Sequence, residues 1–139
     1  MLIQALVASD VSAVVFSVNP VSASRDEVMI NASWGLGESV VGGTVTPDTY
    51  VVSKSPVRMT SQTIANKARM TVLQQHGTRE VAVPRFVQDV PCLTEDQAFE
   101  MAALASALES HLGWHTDIEC AIAGNQLYLL QCRPITTLR

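Results

Sequence analysis

Two short segments constrain the fold most, residues 117–122 and 127–133, because each alternates in polarity and they flank the turn-forming pair Gly124-Asn125. Side chains alternate faces along a strand. The first arm therefore sets Ile118, Cys120 and Ile122 against Asp117, Glu119 and Ala121, and the second sets Tyr128, Leu130 and Cys132 against Leu127, Leu129, Gln131 and Arg133. The pair reads as a hairpin, and loop parity decides which faces coincide. A two-residue loop would put Gln131 beside Ile118 and mix polar with apolar groups on both faces. An odd loop, residues 124–126, pairs Ala123 with Leu127 and Glu119 with Gln131. That register is the expected one, since it leaves one face wholly apolar and gathers Asp117, Glu119, Gln131 and Arg133 at the end away from the turn.

Four polar groups converging on an otherwise apolar hairpin need partners, because buried polar groups without them are costly. Glu119 and the Gln131 amide oxygen are hard oxygen ligands suited to Mg²⁺, and the Arg133 guanidinium can fork onto phosphate oxygens. The plainer alternative is a Glu119–Arg133 salt bridge that supports a sheet edge. Periodicity alone leaves both open.

The rest of the chain supplies the setting. With 139 residues, 47% hydrophobic and 16% charged, it has enough material for one domain with a core, and disorder is excluded. No apolar run approaches the roughly 18 residues of a membrane helix. A net charge of -4 offers no basic surface for a nucleic-acid backbone. The first residues carry no basic, cleavable leader pattern, so a cytoplasmic setting is the default. Cys92, Cys120 and Cys132 lack metal-type spacing and are expected reduced and buried.

Residues 1–7 and 12–18 suggest a strand pair, 27–32, 49–53 and 79–83 read as further strands, and 63–75 fits neither helix nor strand cleanly. Because the opening residues already read as strand, the domain is expected to begin inside a sheet. A capping box, Thr94 to Gln97, opens one long helix over residues 94–112, with a stripe of Ala98, Met101, Ala102, Ala105, Leu108 and Leu112 and a stop at Gly113. The fold class is α+β. The glycines of residues 35–38 lack the Lys and Ser/Thr of a P-loop and are read as a structural turn. Lys54 and Lys67 are expected to be solvated surface lysines, and His76, His111 and His115 surface or capping histidines.

Asp117-Ile118-Glu119 followed by residues 127–136, LYLLQCRPIT, resembles the D-I-E-W...L-Y-x-L-Q-x-R-P-x-T signature of the phosphoenolpyruvate synthase and pyruvate phosphate dikinase family. Residues 12–20 are similar to its S-G-V-x-F-T-x-N-P stretch, and residues 34–48 to G-L-G-E-x-V-V-x-G-x-V-x-P-D. Three motifs in order cover essentially the whole chain and weigh against the simple salt bridge. The resemblance implies the C-terminal lobe of an ATP-grasp nucleotide-binding domain, binding Mg²⁺ and ATP together with an N-terminal lobe that is absent here. It also implies phosphoryl transfer to a histidine on a separate swivelling domain, on the way from pyruvate to phosphoenolpyruvate. By resemblance Glu119 and Gln131 coordinate magnesium, Asp117 supports the metal site, Arg133 holds the transferring phosphates, and the strand carrying Gln4 and Leu6 reads adenine. A rifamycin phosphotransferase or a non-catalytic module would share the same pattern, and the isolated chain is expected to be inactive. Ala13, Cys120 and His115 depart from the family's glycine, tryptophan and proline.

Overall fold

The computed structural model describes residues 7–37, 40 and 45–135. Its strands are β1 (Val11–Phe16), β2 (Glu27–Trp34), β3 (Asp48–Lys54), β4 (Val57–Thr63), β5 (Arg69–Gln74), β6 (Gly77–Ala82), β7 (Thr116–Ala123) and β8 (Gln126–Pro134), and one long helix, α1, spans Glu95–Leu112. Six strands form an antiparallel sheet in the order β4-β3-β2-β1-β7-β8, while β5 and β6 form a separate hairpin. This is the expected α+β architecture. No helix among the described residues is long and apolar enough to cross a membrane.

The capping box forms as read: Gln97 N–H donates to Thr94 Oγ1 at 3.1 Å and Thr94 N–H to Gln97 Oε1 at 2.9 Å. At the other end Gly113 takes a left-handed φ of 79° and its N–H returns to the Glu109 carbonyl. Between these caps α1 buries Ala98, Met101, Ala102 and Ala105 against Val15, Ile30, Tyr50, Ile118 and Cys120 of the sheet. Leu108 packs partly, but Leu112 is exposed. Three of the four buried helix residues are alanines, and Phe99, Leu104 and Leu108 pack partly around them.

Two expectations change, and one strand forms that the sequence did not signal. The strand holding residues 12–18 pairs with β2 on one side and β7 on the other, whereas residues 1–6, with Gln4 and Leu6, lie outside the described residues. Strand β4 had no sequence signal, because six of its seven residues are exposed and its polarity does not alternate. Lys67 is not a surface lysine. It is fully buried, with Nζ 2.6 Å from Asp48 Oδ1 and 2.9 Å from the Ala65 carbonyl.

Asp48 is the centre of a buried hub at the start of β3. Besides Lys67, its carboxylate accepts from the backbone N–H groups of Ala65 and Cys92, the Tyr50 hydroxyl and the Cys92 thiol. Burial first, and the Asp48 charge next, push the Cys92 thiol far up, so it stays protonated and unreactive. The hub binds β3 to the segment before β5 and to the loop entering α1. Removing one member of a buried ion pair strands the other charge, so Lys67→Met should destabilise the domain by about 3–5 kcal/mol, measured by urea denaturation. The reciprocal Asp48→Asn should cost a similar amount, while an exposed control such as Arg58→Met should change stability by less than about 0.5 kcal/mol.

Candidate functional site

Strands β7 and β8 place the four sequence-selected residues together, by a different route from the one expected. The loop is the two-residue one: Ala123 pairs with Gln126, and Gly124 and Asn125 take φ of 57° and 65°. Positive φ at both central residues is the type I′ geometry whose twist matches that of paired strands. The Gly124 N–H also donates to Asp10 Oδ2 at 3.0 Å, which pins the turn to the entry of β1. Left alone, this loop would set Gln131 beside Ile118. A β-bulge between Glu119 and Cys120 prevents that: Cys120 pairs with Leu129 and Glu119 with Gln131, leaving Leu130 as the extra residue.

The half of the hairpin away from the turn therefore has the expected pairing, Glu119 opposite Gln131 and Asp117 opposite Arg133, and the turn half does not. The apolar set is corrected accordingly. Ile118, Cys120 and Ile122 are buried in the core, and Cys132 packs partly against it. Leu127, expected on the polar side, joins them. Tyr128 instead pairs with Ala121 and is exposed, and Leu130 lines a small crevice with Ser12, Val14 and Glu119. Cys92, Cys120 and Cys132 are free thiols, and burial pushes Cys120 up to about 12.

Asp117, Glu119 and Arg133 open into one cavity of about 270 Å³ on the sheet face away from α1, walled by Val14, Phe16, Asn31, Val40 and Pro47. Gln131 stands on the exposed edge strand and is not among the lining residues. Arg133 Nη2 lies 4.0 Å from Glu119 Oε1, with the arginine side chain 59% exposed. That separation is the limit of an ion pair, and an exposed pair contributes at most about 1 kcal/mol. The salt bridge alone therefore does not account for the cluster, and both groups have capacity left for other partners. Among the described residues no cluster of three or more His, Cys, Asp or Glu side chains could hold a metal. An ion here would need the Gln131 amide and oxygens from its own ligand.

Gly35 explains the tight turn after β2. Its φ is 80°, and a Cβ there would meet the Thr71 carbonyl oxygen at 2.4 Å, while Leu36 N–H donates to that same oxygen. At Gly35 the geometry is that of the expected structural turn, and Glu38 lies outside the described residues. His115 is a tethering residue: Nδ1 is 2.7 Å from Glu109 and Nε2 is 3.1 Å from Arg25. Lys54 pairs with Glu109 at 3.1 Å and is only 20% exposed, so it too is more engaged than expected.

A helix-backed antiparallel sheet whose free face carries two carboxylates and a guanidinium around one cavity, with the Gln131 amide on the adjoining edge strand, defines an α+β module. The chain belongs to the pyruvate phosphate dikinase AMP/ATP-binding domain family, whose model matches residues 1–139. It is 41% identical to a probable phosphoenolpyruvate synthase of Methanocaldococcus jannaschii, an alignment covering 99% of this chain and 12% of that protein. It is 42% identical to the phosphoenolpyruvate synthase of Pyrococcus furiosus, covering 99% and 18%. A rifampicin phosphotransferase of a Streptomyces species is 38% identical, covering 98% and 16%. The chain thus spans less than a fifth of the length of each of these relatives. ATP binding and membership of an ATP-dependent phosphotransferase family follow, and the mostly antiparallel sheet with one helix fits the ATP-grasp placement of that family.

Burial holds the Asp117 carboxyl above its usual range, against the opposing pull of Arg133. A carboxyl whose pKa is raised on folding favours the folded state only while protonated, so its contribution is present below the ordinary value of 3.8 and is lost as pH rises through the folded value. Asp117→Asn should therefore match the parent in stability below that range and exceed it at pH 7. Urea denaturation at the two pH values gives the comparison.

Proposed function

We propose that residues 1–139 are the C-terminal lobe of an ATP-grasp domain that holds Mg·ATP while a phosphoryl group passes to a histidine on a separate domain, en route from pyruvate to phosphoenolpyruvate. The observation that carries this reading is the facing pair Glu119 and Gln131, with Asp117 and Arg133 paired one step along the same face. Both Glu119 and Gln131 offer hard oxygens, and residues directly opposite on antiparallel strands have Cβ atoms about 4.5–5.5 Å apart, so one ion is within reach of both. The donor set fits magnesium. The ion, when bound, neutralises charge on the phosphates and orients them.

The chain's own residues then have separable roles. Glu119 supplies the charged metal ligand and Gln131 a neutral one. Asp117, whose carboxyl burial raises above its ordinary range, would support the metal site, where a nearby cation would favour its charged form. Arg133, mostly exposed and only loosely engaged with Glu119, is free to turn its fork onto the transferring phosphate. Phosphoryl transfer depends chiefly on positioning and charge neutralisation, for which groups on a paired hairpin are well placed. Gln4 and Leu6, which lie outside the described residues, would by the resemblance belong to the part that reads adenine.

The likeness to a rifampicin phosphotransferase supports a second reading in which the phosphate goes to that kind of acceptor. The acceptor would be specified by parts of the protein other than this lobe, so both readings assign the same roles to Glu119, Gln131 and Arg133. The lobe by itself would lack the opposing half of the site and the histidine.

In the complete protein, Glu119→Gln and Arg133→Ala should each lower ATP-dependent histidine phosphorylation by roughly 10²–10³-fold, the usual effect of removing one preorganised charge-stabilising group. Urea midpoints should stay close to the parent's. Transfer of labelled γ-phosphate to protein provides the assay. Near-normal labelling in either variant, or robust turnover by residues 1–139 alone, would count against the proposal.

A further inference from the structure

The polar row that contains the candidate metal ligands continues beyond the hairpin. Pairing sets Gln131 beside Glu119, Glu119 beside Val14, Val14 beside Asn31, and Asn31 beside Thr49. Directly paired residues of antiparallel strands share a face, so all five project away from α1. Asn31 reaches the same cavity as Asp117, Glu119 and Arg133, from the far side of Val14. Two interstrand spacings, roughly 10 Å in all, separate it from Glu119. That separation is too wide for one shared ion, and it suits an extended ligand lying across β1.

Asn31 is also held in one orientation. The Thr49 hydroxyl donates to Asn31 Oδ1 at 3.1 Å, which engages the amide oxygen, and among the described residues Nδ2 has no protein partner. Asn31 is half-buried and lines the cavity, and with its oxygen engaged by Thr49 its amide nitrogen is left to donate to a ligand there. Opposite it stand two carboxylates, which a cation would occupy, and the Arg133 guanidinium. An anionic ligand bridging this space would meet a cation at Glu119, a fork at Arg133 and a neutral donor at Asn31.

We propose that Asn31, oriented by Thr49, is a further binding residue of this site and donates from Nδ2 to a phosphate oxygen of a bound nucleoside triphosphate. The proposal rests on the Mg·ATP reading of the cavity. Thr49 touches no ligand and is a positioning residue for Asn31.

The test is calorimetric titration of the complete protein with Mg·ATP and with adenosine, a phosphate-free probe, for the parent, Asn31→Ala and Thr49→Val. A hydrogen bond to a charged acceptor predicts roughly tenfold weaker Mg·ATP binding in Asn31→Ala, with adenosine affinity and melting temperature nearly unchanged. Thr49→Val should weaken Mg·ATP binding in the same direction by a smaller factor. If the parent binds Mg·ATP and Asn31→Ala binds it equally well, the Asn31 assignment is wrong while the site reading stands. An equal loss for adenosine would likewise overturn it, since that pattern marks a general packing defect. A parent protein that binds no Mg·ATP would remove the site reading itself, and the Asn31 contact with it.

Discussion

The register of the β7–β8 hairpin is the constraint on which the rest of the site depends. Two local demands conflict there. The Gly124-Asn125 turn wants a two-residue loop with both residues at positive φ, and the lower strands want Ile118 and Cys132 together against α1. A strand pair has period two, so one loop length cannot satisfy both. The bulge at Leu130 resolves the conflict by shifting parity in the middle of the hairpin, between Glu119 and Cys120. Its location matters: the shift occurs immediately above the Glu119–Gln131 pair, so the polar face begins where the apolar register has just been restored. Bulges bend and twist a strand locally, and one placed here also helps to aim the groups below it.

The second support is less direct. Asp48 lies on the helix side of β3, whereas its chain neighbour Pro47 forms part of the cavity wall. The buried carboxylate takes hydrogen bonds from Lys67, Tyr50, Cys92 and Ala65. These fix where β3 begins, and with it the position of Thr49 beside Asn31. A buried ion pair adds little net stability over an apolar substitute. Here it contributes location, holding the wall of the site from behind.

What the sequence made legible follows from the range of each signal. Helix α1 was readable because its start and stop are local hydrogen-bonding chemistry at Thr94, Gln97 and Gly113. The convergence of Asp117, Glu119, Gln131 and Arg133 was readable because alternation must bury Ile118 and Cys120. The bulge was not, since its only trace is a parity conflict that a longer loop would solve equally well. Lys67 was misread because residue type favours the surface, and its partner Asp48 lies 19 positions away in the chain. The role proposed for Asn31 was not legible for a similar reason. Its approach to Glu119 passes through β1 and depends on two long-range pairings that no local pattern encodes.

The central claim is that Glu119 and Gln131 share one magnesium ion with a nucleotide held by Arg133. A crystal structure of the complete protein with magnesium and a non-hydrolysable ATP analogue tests this most directly. The account predicts one ion with the Glu119 carboxylate and the Gln131 amide oxygen both at about 2.0–2.1 Å, and the Arg133 guanidinium on a terminal phosphate oxygen. An analogue bound with its ion coordinated by neither Glu119 nor Gln131 would contradict it.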